Sequence, residues 1–207
     1  MLGPAEIFTL FFVTLGPLKI LGPFAQRTHG LDDAAVRAIA VRAFVIATIA
    51  IVVGSLVGRA LAGNWRIDVG ALEVTAGIIF LLVALKQLLE QYEPPHPGDA
   101  PSPLPPAPMA AALRLLFPIV LTPYGVAAVI VLLANAQGEM GRVGMILALL
   151  VLVMVLNLLA MLFARKILTG YTMVVLQVLG AILGVLQVGL AVEFILRGLR
   201  DLKVIGA

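Results

Sequence analysis

The sequence predicts an all-α integral membrane protein of six transmembrane helices, arranged as an inverted 3+3 repeat in which the first and fourth helices are broken. Three observations predict it. Hydrophobic residues make up 62% of the chain and charged residues only 12%, against roughly 45–50% apolar and about 25% charged in soluble domains. About six apolar stretches reach the roughly 20 residues needed to cross a bilayer. Outside one proline-rich segment, every proline falls in the first or the fourth of these stretches.

The first span runs from Gly3 to Phe24 and is interrupted at Gly16-Pro17-Leu18-Lys19, with Gly22-Pro23 following. A proline deep in a helix removes a backbone donor and clashes with the preceding turn, so this span is expected to break. Its start, Met1 to Glu6, lacks the basic region and small-residue cleavage site of a secretory signal, so the segment is read as retained structure. Gln26 to Asp33 is polar and reads as a loop, with Asp32 and Asp33 placed to cap the next helix. Span two covers Ala34 to Ala62. Its Ala34, Ala38, Ala43, Ala47 and Ala50, with Gly54 and Gly58, form a strip of small residues suited to close helix packing. Asn64-Trp65-Arg66 makes the next turn, with Trp65 suited to the lipid headgroup level. Span three covers Val69 to Gln91.

Eight prolines between Pro94 and Pro108 favour extended polyproline structure over a packed fold. This stretch reads as a linker, dividing the chain into halves at 1–93 and 109–207. Span four runs from Met109 to Asn135 and is interrupted at Leu121-Thr122-Pro123-Tyr124-Gly125. Spans five and six cover Val143 to Phe163 and Thr172 to Leu199.

The halves resemble each other. An offset of 106 residues sets Gly16-Pro17 on Thr122-Pro123, and an offset of 107 sets Gly77, Ala84, Leu85 and Lys86 on Gly184, Ala191, Val192 and Glu193. Each half has an odd number of spans, so the second enters the membrane from the opposite side. In inverted repeats the substrate site lies near the midplane at discontinuous helices, and paired Gly/Pro interruptions are the sequence pointer to it. Irregular backbone at that depth is tolerated where it is buried in protein or lines a watery cavity. Proline kinks that serve packing alone are the competing explanation.

The polar inventory narrows the chemistry. Lys19 lies just past the first interruption, where an ammonium needs a partner or water; snorkelling to the interface is the alternative. Glu73 offers a partner for Lys19 or Arg42, a carrier for a coupling proton, or an ordinary interfacial charge. Thr122 and Tyr124 flank a break and rank above Gln177 and Gln187 for solute contact, with Asn157, in the middle of span five, between them. The two histidines, His29 and His96, fall in loops, and the aspartates fall in loops or at ends. No nucleophile–base pair, metal-binding histidine pair or intramembrane aspartyl pair is present, so no enzyme is expected. There are no cysteines, and no metal or cofactor is called for. The net charge of +3 is scattered at span ends, which argues against nucleic acid.

The motifs resemble the MarC family of bacterial inner-membrane proteins over nearly the whole chain. Val36-Arg37-Ala38-Ile39-Ala40-Val41-Arg42 resembles the family's basic start of span two. Thr75 through Lys86 is similar to its glycine-pair helix, with Ala76 in place of the first glycine. Phe117-Pro118-Ile119-Val120-Leu121-Thr122-Pro123 resembles the proline-rich approach to its second break, and Ala191 through Gly198 resembles its final span. Gly16, Lys19-Ile20 and Thr122 stand where family members usually carry an Asp or Asn, a Gly-Asn pair and a Gly. The resemblance implies six spans and, as proposed for some members, transport of small neutral amino acids coupled to a cation or proton.

The sequence therefore leads to the expectation of a secondary transporter of a small polar solute in the bacterial cytoplasmic membrane. The expected substrate-binding residues are Gly16, Pro17, Lys19, Thr122, Pro123, Tyr124, Gly125 and Asn157, and Glu73 is the candidate for the coupling ion. Partners are the solute and the lipid bilayer, with a homo-oligomer left open. The alternative is a non-catalytic accessory or envelope-stress protein, for which the break should be dry and tightly packed rather than a cavity. Seven basic residues on the linker side against six opposite leave orientation without a bias; both termini outside is the reading taken.

Overall fold

The computed structural model describes residues 2–90, 104–105, 107–136, 139–167 and 171–206. Most of the proline-rich linker, including His96 and Ser102, lies outside the described residues, as does the side chain of Gln177. The described chain is helical throughout, with no strand. Its elements are α1 (Pro4–Leu15), α2 (Pro17–Arg27), α3 (Asp33–Asn64), α4 (Val69–Glu90), α5 (Pro108–Leu115), a π-helical turn (Leu116–Val120), α6 (Pro123–Asn135), α7 (Met140–Ile167) and α8 (Tyr171–Asp201).

Among the described residues, five segments are long and apolar enough to cross a membrane: α1 with α2, α3, most of α4, α7, and the C-terminal part of α8. The expected fourth span is cut into three pieces, and α6, at 13 residues, is too short to cross alone. Outward-facing stripes such as Val45, Ile49, Val53 and Leu56 on α3 and Val178, Ile182 and Val185 on α8 are exposed. In a bilayer these face lipid. The chain is a multi-pass membrane protein.

Both expected breaks are present, but they differ in kind. At the first, α1 stops at Leu15, Gly16 is extended (φ −76, ψ 172) and α2 restarts with Pro17 at its first position, where a missing N–H and a fixed φ suit a helix start. A Cβ built on Gly16 would overlap the Phe12 carbonyl, so the chain turns there without room for a side chain. At the second, the helix widens before it breaks: the Leu121 amide donates to Leu116 O at 2.9 Å, the five-residue step of a π-helix. Leu121 and Thr122 are then extended, and α6 restarts at Pro123. The residue pattern announced the interruption but not the π turn, which depends on a single backbone register. The α1 and α2 pieces are 12 and 11 residues long, so the first break lies at the middle of its span.

Helix packing brings the halves together. α1 and α2 lie on α7, α5 and α6 lie on α3, α3 crosses α7, and α4 packs along α8. The α4–α8 contact is glycine-lined. A Cβ on Gly77 would lie 2.7 Å from Ile195 Cγ1 and 2.8 Å from the Ala191 carbonyl, and one on Gly70 would lie 2.8 Å from the Gly198 carbonyl. Removing side chains lets two backbones approach and gain dispersion contacts that lipid does not supply. The buried stripe of α3 runs through Val36, Ala40, Ala43, Ala47, Ile51 and Ser55. It corrects the expected small-residue strip at its ends: Ala34 is exposed and a Cβ built on Gly54 would meet nothing within 4 Å, whereas one on Gly58 would lie 2.6 Å from Ile130 Cδ1.

The start of α1, the turn before α4, the end of α6, the start of α7 and the end of α8 share one face, tied by Arg142 donating to the Leu2 carbonyl at 3.1 Å and by Asn135 donating to Glu73 at 2.5 Å. On the opposite face Arg165, in the last turn of α7, clamps the α2–α3 loop. Its guanidinium donates to the carbonyls of Thr28 at 2.5 Å and Leu31 at 2.7 Å and pairs with Asp33 at 3.1 Å. The capping expected of the aspartates is thereby revised. Asp32 holds the N-cap position without a side-chain bond, and Asp33 turns to Arg165 instead.

The α4–α8 contact makes Gly77→Leu costly by about 1–3 kcal/mol, the usual range for overpacking. Gly189→Leu, at a position with nothing within 4 Å, should stay within about 0.5 kcal/mol of the parent. Thermal unfolding of both variants in detergent micelles checks this, and equal midpoints for the two would refute close packing at Gly77.

Candidate functional site

Ending a helix in the middle of a span leaves its last carbonyls without intrahelical donors. Pro17 removes the amide that a continuous helix would direct at the Val13 carbonyl. Three neighbouring helices supply the missing donors. Gln187 of α8 donates through Nε2 to Val13 O at 3.1 Å, Thr122 before α6 donates through Oγ1 to Thr14 O at 3.1 Å, and Asn157 of α7 donates through Nδ2 to Leu15 O at 2.6 Å. All three side chains are buried, as is Thr14, whose own hydroxyl donates back to the Leu10 carbonyl at 2.7 Å.

Thr122 also works on its own helix. Its Oγ1 accepts from the Gly125 amide at 3.3 Å, satisfying one of the free donors at the start of α6. One hydroxyl therefore caps the second break and closes the end of the first. Gly125 is required for that approach, since a Cβ there would lie 2.6 Å from Leu15 Cγ and 2.8 Å from Thr122 Oγ1.

On the far side of the same junction, the half-buried Lys19 in the first turn of α2 reaches Tyr124 in the first turn of α6. The ammonium donates to the Tyr124 hydroxyl and lies 4.4 Å from the ring centroid. The Tyr124 ring stacks on Phe80 of α4 with centroids 4.9 Å apart. Ring quadrupole and hydroxyl lone pair together support the cation, and no carboxylate among the described residues pairs with it.

A family model described as MarC family integral membrane protein matches residues 5–203. The chain belongs to the MarC family. No curated protein and no solved structure matches it.

In this MarC-family chain the structure brings Gly16, Pro17, Lys19, Thr122, Pro123, Tyr124, Gly125 and Asn157 to one junction. Glu73 is elsewhere. Its partner Asn135 lies eleven residues beyond Tyr124 on α6, about 16 Å along the helix at 1.5 Å per residue. The pairing of Glu73 with Lys19 is corrected accordingly, and Arg42 is exposed on α3. Gln187, ranked below Thr122 and Tyr124 from sequence, proves to be a direct partner of the broken helix. Its glutamine type allowed that, but only the crossing of α8 against α1 reveals it. Arg165 was legible only as a span-end charge.

The junction residues do not line the cavities found among the described residues. Among the three cavities described, one of about 290 Å³ lies between α1 and α8 near Leu10, Glu193 and Phe194, one of about 490 Å³ opens on the face of the chain ends beside Glu73, and one of about 300 Å³ lies by Arg37 and Arg165. The junction residues are packed against one another. The polar chemistry of the junction is nonetheless incomplete, because Asn157 Oδ1 and Gln187 Oε1 are buried without hydrogen-bond partners.

Thr122→Val keeps the volume and removes both bonds, leaving the Thr14 carbonyl unpaired; the expected cost is about 2 kcal/mol. Asn157→Leu should cost a similar amount through the Leu15 carbonyl. Each is read as a lowered unfolding midpoint in micelles, and a parent-like midpoint for both would show that these bonds do not hold the junction.

Proposed function

We propose that this protein is a secondary transporter of a small polar solute, such as a neutral amino acid, across the bacterial cytoplasmic membrane, with the solute held where the two breaks meet. The observation that carries this reading is the bond from Thr122 to the Thr14 carbonyl, between residues 108 positions apart in sequence, which joins the two helix breaks. Asn157, Thr122 and Gln187 act as stand-ins for a solute: each donates to a carbonyl that a ligand's N–H or O–H would otherwise satisfy. Lys19 and Tyr124 add a cation and a hydroxyl for the solute's polar end. The packed junction is then the occluded, unloaded arrangement, and access comes from one half rocking against the other.

The pairing of elements supports six spans in an inverted repeat, counting α5, the π turn and α6 as the fourth. The α1 and α2 contacts with α7 are matched by α5 and α6 contacts with α3, and α4 packs against its own counterpart α8. Gly77 faces Ile195 and its counterpart Gly184 faces Leu88, the residue equivalent to Ile195 at the same offset of 107, as a pseudo-two-fold axis through that pair requires.

A second reading, a non-transporting accessory protein, draws on the close packing of the junction. Uptake by the purified protein in liposomes separates the two. Alanine, glycine and serine are offered with and without a proton gradient; transport predicts accumulation of at least one, reduced about tenfold or more by Tyr124→Phe, the equivalent of about 1.4 kcal/mol. No movement of any solute under any gradient leaves the accessory reading standing.

A further inference from the structure

The cavity of about 490 Å³ on the face of the chain ends falls within the roughly 300–1,000 Å³ usual for small-molecule sites. Its deepest polar group is Glu73, which is only 7% exposed. One carboxylate oxygen, Oε1, accepts from Asn135 Nδ2 at 2.5 Å, while Oε2 is buried without a hydrogen-bond partner. A buried acceptor without a donor is costly, more so when charged. None of the basic groups lining the cavity donates to Glu73 Oε2. Arg197 bonds Glu193 through Nε at 2.8 Å, Arg142 donates to the Leu2 carbonyl at 3.1 Å, and Arg200 is exposed.

We infer that this cavity is a binding site for a small solute carrying a primary ammonium group, received by Glu73 beside Asn135. An ammonium supplies the hydrogen-bond donor that Oε2 lacks together with the charge that offsets it. A metal ion is a poor occupant, since no group of three acidic, histidine or cysteine side chains gathers among the described residues. The exposed Arg200 and Asp201 at the mouth leave room for a polar or anionic remainder of the solute to stay hydrated. The site rests on the cavity and its carboxylate alone and holds whether or not the solute goes on to cross the bilayer.

Isothermal titration of the full-length protein in lipid nanodiscs tests it, with ethylammonium chloride as the probe. Saturable binding is expected, weakened tenfold or more for tetramethylammonium, which has no N–H donor, and likewise for Glu73→Gln. Asp33→Asn, which alters a carboxylate on the opposite face beside Arg165, should bind ethylammonium as the parent does. If Glu73→Gln does not fold, Glu73→Asp keeps the charge but withdraws it by one methylene and should bind several-fold more weakly. No saturable binding, equal binding of tetramethylammonium, or parent-like affinity in the Glu73 variant would each overturn the assignment. Binding that persists in a protein found to move no solute would reject the transporter reading alone.

Discussion

A helix that stops in hydrocarbon must have its last carbonyls satisfied by protein, because lipid offers no donor. That constraint organises this molecule. Gly16 and Pro17 end α1 at mid-span, and the carbonyls of Val13, Thr14 and Leu15 are taken by Gln187, Thr122 and Asn157. The donors come from α8, from the cap of α6 and from α7, all in the second half of the chain, so the first half does not close its own polar backbone. The junction consequently behaves as a shared element whose order depends on how the halves dock.

The rest of the architecture holds that junction in place. Close backbone contact between α4 and α8 at Gly70, Gly77 and Gly198 fixes the position of Phe80, on which the Tyr124 ring stacks, and of Gln187 further along α8. Arg165 ties the α2–α3 loop to α7 on one face, while Arg142 and Asn135 link chain segments on the other. Charged groups thus gather at the two faces, and the middle retains Lys19, held by an aromatic ring and a hydroxyl. A half-buried ammonium with no acidic partner among the described residues and two buried amide oxygens without donors lie at one place, where most buried polar groups of a folded protein are paired.

Much of the candidate site was legible as residue types. Pro17 and Pro123 dictate local breaks through the missing N–H, so Gly16, Lys19, Thr122, Tyr124 and Gly125 could be named from their place beside a break. Asn157 stood out as a lone amide in an apolar helix. Gln187 and Asn135 did not, because their role comes from which helix they meet rather than from their neighbours in sequence. Glu73 was recognisable as an acid near the start of span three, with Lys19, Arg42, a coupling proton and an interfacial role all open, and the structure gives it Asn135 as its partner.

Composition and apolar length by themselves determined a multi-pass helical membrane protein, and proline chemistry determined where two of its helices stop, because both are properties of the chain within a few residues. The register of the α4–α8 glycine contact, the π turn before Thr122, the closure of the break by side chains of other helices and the placement of a carboxylate with one unpartnered oxygen near the chain ends were decided by tertiary structure. Each depends on the distance between groups that are far apart in sequence, and that distance is set by helix packing rather than by any local preference.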